Sequence, residues 1–141
     1  MSLFGMLDLS GTAMQAERLR AEVVASNMAN AETTRTPEGG PYRRQLVLFR
    51  SAVMRAGGSF RQDRTARMVR VDQVVDDAAP PVRRYEPNHP DADKEGYVSY
   101  PQINPIEEMT DLMSAERAYE LNAAALQAAK GMIQQALDIV R

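Results

Sequence analysis

The chain has 141 residues, 44% hydrophobic and 26% charged, with a formal net charge of −2, which is typical of one folded domain rather than a disordered chain. It contains no cysteine, and this excludes disulfide scaffolds, thiol catalysis and cysteine-based zinc sites. It also contains no run of 18 apolar residues, so no membrane-spanning helix is predicted.

The first predicted element is an amphipathic helix over residues 9–30. Ser10 is a candidate N-cap, and short polar side chains around Asn27 and Asn30 weaken the helical pattern at the other end. Apolar residues recur at helical spacing and share one face: Leu9, Ala13, Ala16, Leu19 and Val23.

The middle of the chain is predicted to hold loops and short strands. All eight prolines lie between Pro37 and Pro105, and proline disfavours helix. Apolar residues at 45–49 and alternating valines at 68–75 indicate two strands, with a turn at Gly57 and Gly58. The proline-rich stretch 80–104 is expected to be extended.

A long C-terminal helix is the strongest local prediction. Asn104 suits the N-cap, Pro105 the first helical position, and Glu107 the third position of a capping box. A seam of heptad spacing follows, and a sustained seam of this kind predicts packing against a partner helix. Its positions are Met109, Leu112, Glu116, Tyr119, Ala123, Leu126, Lys130, Ile133, Leu137 and Val140. Glu116 and Lys130 interrupt the seam, so we expect them to specify register by charge pairing.

The predicted fold class is mainly α with a small β insert. Residues 1–34 and 104–141 form an inner helical domain in which the two terminal helices pair as a coiled-coil hairpin. Residues 35–103 form a β-rich insert with an extended, proline-rich stretch. Because the first helix is the shorter one, part of the C-terminal seam is expected to remain available to other subunits.

Charge is unevenly distributed along the chain. Residues 43–84 contain ten arginines and four acidic residues, a net charge of +6. Residues 85–141 contain ten acidic and four basic residues, a net charge of −6. This split predicts complementary surfaces between copies or neighbours. Arginines recur at every third position from Arg61 to Arg70, and such a basic stripe is also typical of a nucleic-acid-binding surface. Interleaved acidic residues and the lack of a known nucleic-acid-binding motif favour a solvated or intersubunit face instead.

No set of residues predicts catalysis, a cofactor, a metal site or a small-molecule substrate. His89 is the single histidine, which excludes histidine clusters and favours a structural role. The segment from Asp91 through Asp93 to Gly96 begins like a calcium loop, but Gln102 stands where the bidentate glutamate belongs. A tight acidic turn closed by Gly96 is the favoured interpretation.

Two segments carry a family resemblance. Residues 25–33 (ASNMANAET), which include Asn27 and Asn30, resemble the N-terminal signature of flagellar rod and hook proteins. Residues 85–109 (YEPNHPDADKEGYVSYPQINPIEEM) and the following helix resemble the flagellar basal-body rod protein C family. The matching motif positions are Tyr85, Pro87, His89, Pro90, Asp93, Gly96, Tyr97, Pro101, Asn104 and Pro105.

The resemblance implies a structural subunit of the proximal rod that is exported without a cleaved signal through the flagellar type III apparatus. Its implied partners are copies of itself, other rod proteins and the adaptor joining rod to basal ring. The alternatives are another rod-family axial protein or a cytosolic coiled-coil adaptor or secretion chaperone. The residues expected to form the assembly interface are Leu9, Ala16, Leu19, Val23, Leu112, Tyr119, Ala123, Leu126, Ile133 and Leu137.

Overall fold

A computed structural model describes residues 3–55 and 65–139 and shows two long helices flanking a β-rich middle. The predicted fold class, mainly helical with a small β portion, is confirmed. The predicted Gly57–Gly58 turn lies outside the described residues. The elements in chain order are α1 (Leu3–Ala29), β1 (Gln45–Arg55), β2 (Thr65–Asp76), β3 (Val82–Tyr85), β4 (Tyr97–Tyr100) and α2 (Pro105–Ile139).

Helix α1 starts six residues earlier than predicted, at Leu3 instead of Leu9. Ser10 lies inside the helix, so the prediction that it caps the start is wrong. Thr12, also interior, donates its hydroxyl to the Leu9 carbonyl 3.0 Å away. Helix α1 packs along α2, and helices in proteins owe most of their stability to such tertiary contacts rather than to local propensity.

Helix α2 begins as predicted. The Asn104 side-chain oxygen accepts a hydrogen bond from the Ile106 backbone N–H at 3.1 Å, and the Asn104 carbonyl accepts one from Glu108 N–H at 3.1 Å. The Asn104 amide also donates to Glu107 at 3.1 Å, a variant of the capping box. At ~1.5 Å per residue the 35-residue helix is about 52 Å long, against about 40 Å for the 27 residues of α1.

Strands β1 and β2 form an antiparallel hairpin that is longer than the predicted segments. The register pairs Gln45 with Asp76, and a bulge at Leu48/Phe49 accommodates one extra residue on β2. The hairpin packs against α1. Most of its apolar side chains are only half-buried, and Leu48 and Phe49 are exposed.

A second, shorter antiparallel pair, β3 and β4, precedes α2 and pairs Val82 with Tyr100 and Tyr85 with Tyr97. Val98 and Tyr100 point inward from β4 and are buried, whereas all of β3 is exposed. The buried apolar residues of the described chain are few and mostly small: Ala16, Val23, Val24, Val98, Tyr100, Ala115 and Ala129.

Candidate assembly site at the helix junction

The two helices pack antiparallel, because Asn27 near the end of α1 meets Glu108 in the first turn of α2. Along the seam α1 buries Ala16, Val23 and Val24, and α2 buries Ala115 and Ala129. Alanine allows two helix backbones to approach closely, so this seam is tight but contributes little apolar area.

The predicted interface residues fall into three groups. Ala16 and Val23 are buried in the seam. Tyr119 is 40% and Leu137 is 65% exposed, the latter beyond the part of α2 that α1 covers. The others are half-buried along the helix pair: Leu9, Leu19, Leu112, Ala123, Leu126 and Ile133.

The rotation of α2 differs from the predicted heptad. Glu116 and Lys130, expected in the seam, are exposed, and the preceding residues Ala115 and Ala129 are buried instead. The prediction that a Glu116–Lys130 charge pattern interrupts the seam is therefore wrong within the chain. Charged side chains stay solvated at little cost, and a small rotation of α2 relative to the predicted heptad places alanines where the backbones approach most closely.

One charged side chain is nevertheless buried at the junction. Glu108 is 1% exposed. Its Oε1 accepts a hydrogen bond from Arg44 Nε at 2.6 Å, and its Oε2 accepts one from Asn27 Nδ2 at 3.0 Å. A buried carboxylate requires such partners, because an unpaired charge in a protein interior is strongly destabilising.

Asn27 is equally buried and links three segments of the chain. Its Nδ2 donates to the Gln45 carbonyl at 2.9 Å as well as to Glu108. Its Oδ1 accepts from the Gln45 backbone N–H at 2.9 Å and from the Tyr42 hydroxyl at 3.1 Å. An asparagine that uses both ends of its amide in this way holds the root of β1 against both helices.

Arg20 and Asp111 extend the junction toward solvent. Arg20 donates to Asp111 at 3.1 Å, and Arg44 approaches the same carboxylate at 3.9 Å. Two arginines thus face Glu108 and Asp111, and Arg20 also lies 3.6 Å from Glu17. Buried ion pairs of this kind contribute little net stability, and their best-attested role is to specify one arrangement over others.

The segment between β3 and β4 forms the predicted acidic turn. Asp93 Oδ1 accepts hydrogen bonds from the backbone N–H groups of Tyr97 at 2.8 Å and Glu95 at 2.9 Å. These bonds, the Tyr97 bond first, lower the pKa of the Asp93 carboxyl, and Arg83 adds to the effect. Gly96 has φ +83°, and a Cβ there would lie 2.9 Å from the Tyr85 ring, so glycine is required.

Aromatic residues of the family motif pack over this turn. Tyr85 and Tyr97 meet edge to face at 5.3 Å, and the Arg83 guanidinium lies 4.8 Å from the Tyr97 ring centre. Tyr100 donates to Glu86 at 2.9 Å, and that bond raises the pKa of the Tyr100 hydroxyl. His89 accepts from the Asp91 backbone N–H at 3.1 Å, which is a structural role.

The carboxylates of the turn do not converge on a common point. Asp91 accepts from the Thr34 hydroxyl at 2.8 Å and lies 3.8 Å from Arg35, whereas Asp93 binds backbone N–H groups and Arg83. Within residues 3–55 and 65–139, no group of three or more histidine or acidic side chains is placed to hold a metal ion. In the same residues, no helix is long and apolar enough to cross a membrane.

The junction was not predictable from the local sequence patterns. In the sequence, Asn27 marked only the end of a helix and a family signature, and nothing singled out Glu108, Arg44 or Tyr42. The available signal was a second spacing pattern in α2 that keeps three positions of the predicted heptad and replaces four others by the residue before each. The shared positions are Leu112, Leu126 and Ile133, and the replacements are Glu108, Ala115, Asn122 and Ala129.

Comparison with known proteins agrees with both signature segments. The family model "Flagella basal body rod protein" matches residues 7–35, and "Flagellar basal body rod FlgEFG protein C-terminal" matches residues 94–139. The chain is 40% identical to the flagellar basal-body rod protein FlgC of Borreliella burgdorferi, over 100% of this chain and 99% of the relative. It is 39% identical to FlgC of Bacillus subtilis, over 99% of each chain. It is 36% identical to FlgC of Salmonella typhimurium, over 99% of this chain and 98% of the relative.

Proposed function

This chain belongs to the FlgC family of flagellar basal-body rod proteins and is a structural subunit of that rod, and we propose that it joins its neighbours through its paired terminal helices. The alternative of a cytosolic coiled-coil adaptor or secretion chaperone is not favoured, because the similarity to rod proteins covers the whole chain. The relatives are named as rod proteins, and we propose no reaction for this chain.

The observation that supports assembly through the helices is an exposed apolar side of α2. We call it the outer face of α2; at about 100° per residue its members fall within one sector of about 100° that excludes the buried Glu108, Ala115 and Ala129. Leu121 is 72% and Ile106 is 74% exposed. Apolar side chains this exposed and aligned along one helix are typical of a surface that another subunit covers. The outer face consists of Ile106, Met113, Leu121, Met132 and Ile139.

The predicted interface residues Tyr119 and Leu137 lie on the other side of α2, beside α1 or past its start. The exposure of Leu137 supports a contact at the overhanging end of α2, where α1 no longer covers the helix. We therefore propose two helical contact regions, the outer face of α2 and its last turns.

Deleting the gene tests the rod assignment in its source bacterium. Electron microscopy of purified basal bodies should show rings without rods, and the intact gene should restore the rods. Complete rods and normal swimming in the deletion strain would contradict a rod role.

A point variant tests the helical contacts. Complementation with Leu121→Asp should fail to restore rods, because a carboxylate on the outer face of α2 would be desolvated by a neighbour. The matched control is Gln134→Asp, an exposed polar position that lies off the outer face. Normal rods with Leu121→Asp would show that no subunit covers this face.

We also propose the finer partners and route that the resemblance implies. These are other rod proteins, the adaptor joining rod to basal ring, and the flagellar type III export apparatus that delivers the chain to the periplasmic rod. Mass spectrometry of the chain from purified basal bodies should find an uncleaved N-terminus, whereas a shortened one would contradict this route.

A further inference from the structure

A groove opens between the two helices, lined only by helix residues. Its volume is about 470 Å³. Its floor is apolar and contains Ala21, Ala115 and Tyr119, and its rim carries Glu17, Glu116, Glu120 and Arg18. Arg18 is neutralised by Glu22, to which it donates at 2.9 Å. The three remaining rim charges are negative, and we call this site the acidic groove.

The carboxylates of the acidic groove lack full partners within the chain. Oε2 of Glu17 is buried and accepts no hydrogen bond from the described residues, and its nearest cation, Arg20, is 3.6 Å away. Glu116 and Glu120 are exposed and form no ion pair within the described part of the chain. They lie four residues apart on one helix face, where like charges repel.

The β1–β2 hairpin has an exposed basic face, opposite in charge to the acidic groove. Arg50 and Arg70 are directly paired across the ladder, and like charges placed opposite each other are destabilising. Asp72 neutralises Arg50 at 2.6 Å, but Arg70 has no acidic partner among the described residues. The exposed Leu48 lies on the same face as Arg50, two residues away, so this face is both basic and apolar.

In this fold the hairpin does not pair with the glutamates of the acidic groove in its own molecule. It packs against α1, and its residues Leu46, Val47 and Phe49 line a separate cavity beside Val23 and Val24. None of its described residues lines the acidic groove. The unpaired Arg70 and the unpaired glutamates are therefore available to meet only between molecules.

We propose that the acidic groove receives the β1–β2 hairpin of a second copy of this chain. Arg70 pairs with Glu116 and Glu120, and Leu48 covers the apolar floor. Segment charges are complementary: residues 45–76 hold six arginines and three acids, and residues 105–139 hold six acids and two bases. The proposal rests on the rod function, and it deepens that function by naming the partner surface.

The geometry of this contact suits a rod. The groove and the hairpin are different patches of one molecule, so each copy offers one free patch after it has bound through the other. Contacts of this head-to-tail kind generate closed rings or, where the rotation does not close, helical assemblies, whereas self-complementary contacts close at a dimer.

Cysteine cross-linking tests the contact directly, since the natural chain has no cysteine. Two differently tagged variants, Ala21→Cys on the groove floor and Gln73→Cys on the hairpin, are expressed together in a strain lacking the natural gene. Purified basal bodies are then oxidised. We expect a mixed disulfide between the two variants, and no dimer when either variant is present alone.

Charge reversal makes the test specific. Adding Glu116→Lys and Glu120→Lys to the groove variant should reduce the mixed disulfide about tenfold, in the range that close interfacial charge pairs produce. Adding Arg70→Glu to the hairpin variant should restore most of the yield. The control Asp8→Lys makes the charge change of one of these two reversals at an exposed position of α1 outside the groove and should leave the yield unchanged.

The outcomes separate this inference from the rod assignment. If both variants are present in basal bodies and the cells swim, but no mixed disulfide forms or the reversals leave it undiminished, the groove proposal is overturned and the rod function stands. Cross-linking of Ala21→Cys to a different rod protein instead of a second copy would overturn it equally. If neither variant nor the natural chain is found in basal bodies, the rod function itself is wrong.

Discussion

The helix junction and the turn between β3 and β4 are both held by carboxylates that accept hydrogen bonds, but over very different sequence distances. Glu108 binds residues 81 and 64 positions away. Asp93 binds backbone N–H groups two and four positions away. The turn can therefore form from its own residues, whereas the junction requires both helices and the root of β1 to be in place. Long loops make such contacts entropically costly to close, so the junction depends on the complete fold.

The largest expected effect comes from breaking the junction. Glu108→Ala leaves Arg44 and Asn27 without their shared acceptor, and removing one partner of a buried ion pair typically costs about 3–5 kcal/mol in the free energy of unfolding. Urea unfolding of the purified chain measures the loss. The control is Glu107→Ala, an exposed neighbour in the same helical turn, which should cost less than about 1 kcal/mol. If the two substitutions lowered the free energy of unfolding equally, the buried Glu108 would have no special role in stability.

A second variant tests the rotation of α2. Ala115→Leu places a large side chain in the tight seam and should destabilise the chain by about 1–3 kcal/mol through overpacking. Glu116→Leu, one residue on, should leave the free energy of unfolding nearly unchanged, because that side chain is exposed. The reverse order of effects would support the heptad predicted from the sequence over the observed seam.

The turn is tested by a glycine pair. Both Gly96 and Gly40 have positive φ, +83° and +79°, so alanine at either position costs about 1–2 kcal/mol in backbone strain. At Gly96 the added Cβ would also lie 2.9 Å from the Tyr85 ring and 3.2 Å from Pro87, whereas at Gly40 it meets nothing within 4 Å. Gly96→Ala should therefore lower the urea midpoint clearly more than Gly40→Ala does. Equal midpoints would mean that Tyr85 and Pro87 move away from the added Cβ at no cost in stability.

The smallest expected effect is a pH dependence of the turn. The folded pKa of Asp93 lies below its ordinary value of 3.8, chiefly because the Tyr97 N–H donates to the carboxylate. The stabilisation is therefore complete above about pH 4 and is lost as the pH falls through the lower, folded pKa. The Tyr97 amide resonance should shift over that acidic range in the natural chain. In Asp93→Asn the shift should be absent, and a shift that persisted would assign it to another group.

Local patterns predicted much of the fold. Proline spacing placed the middle segment, the Asn104–Pro105 pair located the start of α2, and alternating valines located β2. The acidic turn was predictable because its bonds join near neighbours. The early start of α1 and the full length of the hairpin were not, since both depend on packing against other elements rather than on the residues inside them.

The predicted interface residues were only partly informative for the same reason. Heptad spacing included Leu112, Leu126 and Ile133, which are half-buried and belong to both possible seams. Spacing alone could not decide between Glu116 and Ala115 for the tightest contact. That decision depends on how closely two backbones approach and on where Glu108 finds Arg44, which are properties of the assembled helix pair.

The sequence by itself determined the helical ends, the β-rich middle, the capped start of α2, the acidic turn and the family. Each of these depends on residues that lie close together along the chain. The tertiary structure alone decided the rotation of α2, the burial of Glu108 and Asn27, and the separation of Arg70 from the glutamates of the acidic groove. Those features result from contacts between residues far apart in sequence, and their energies depend on which side chains are removed from water together.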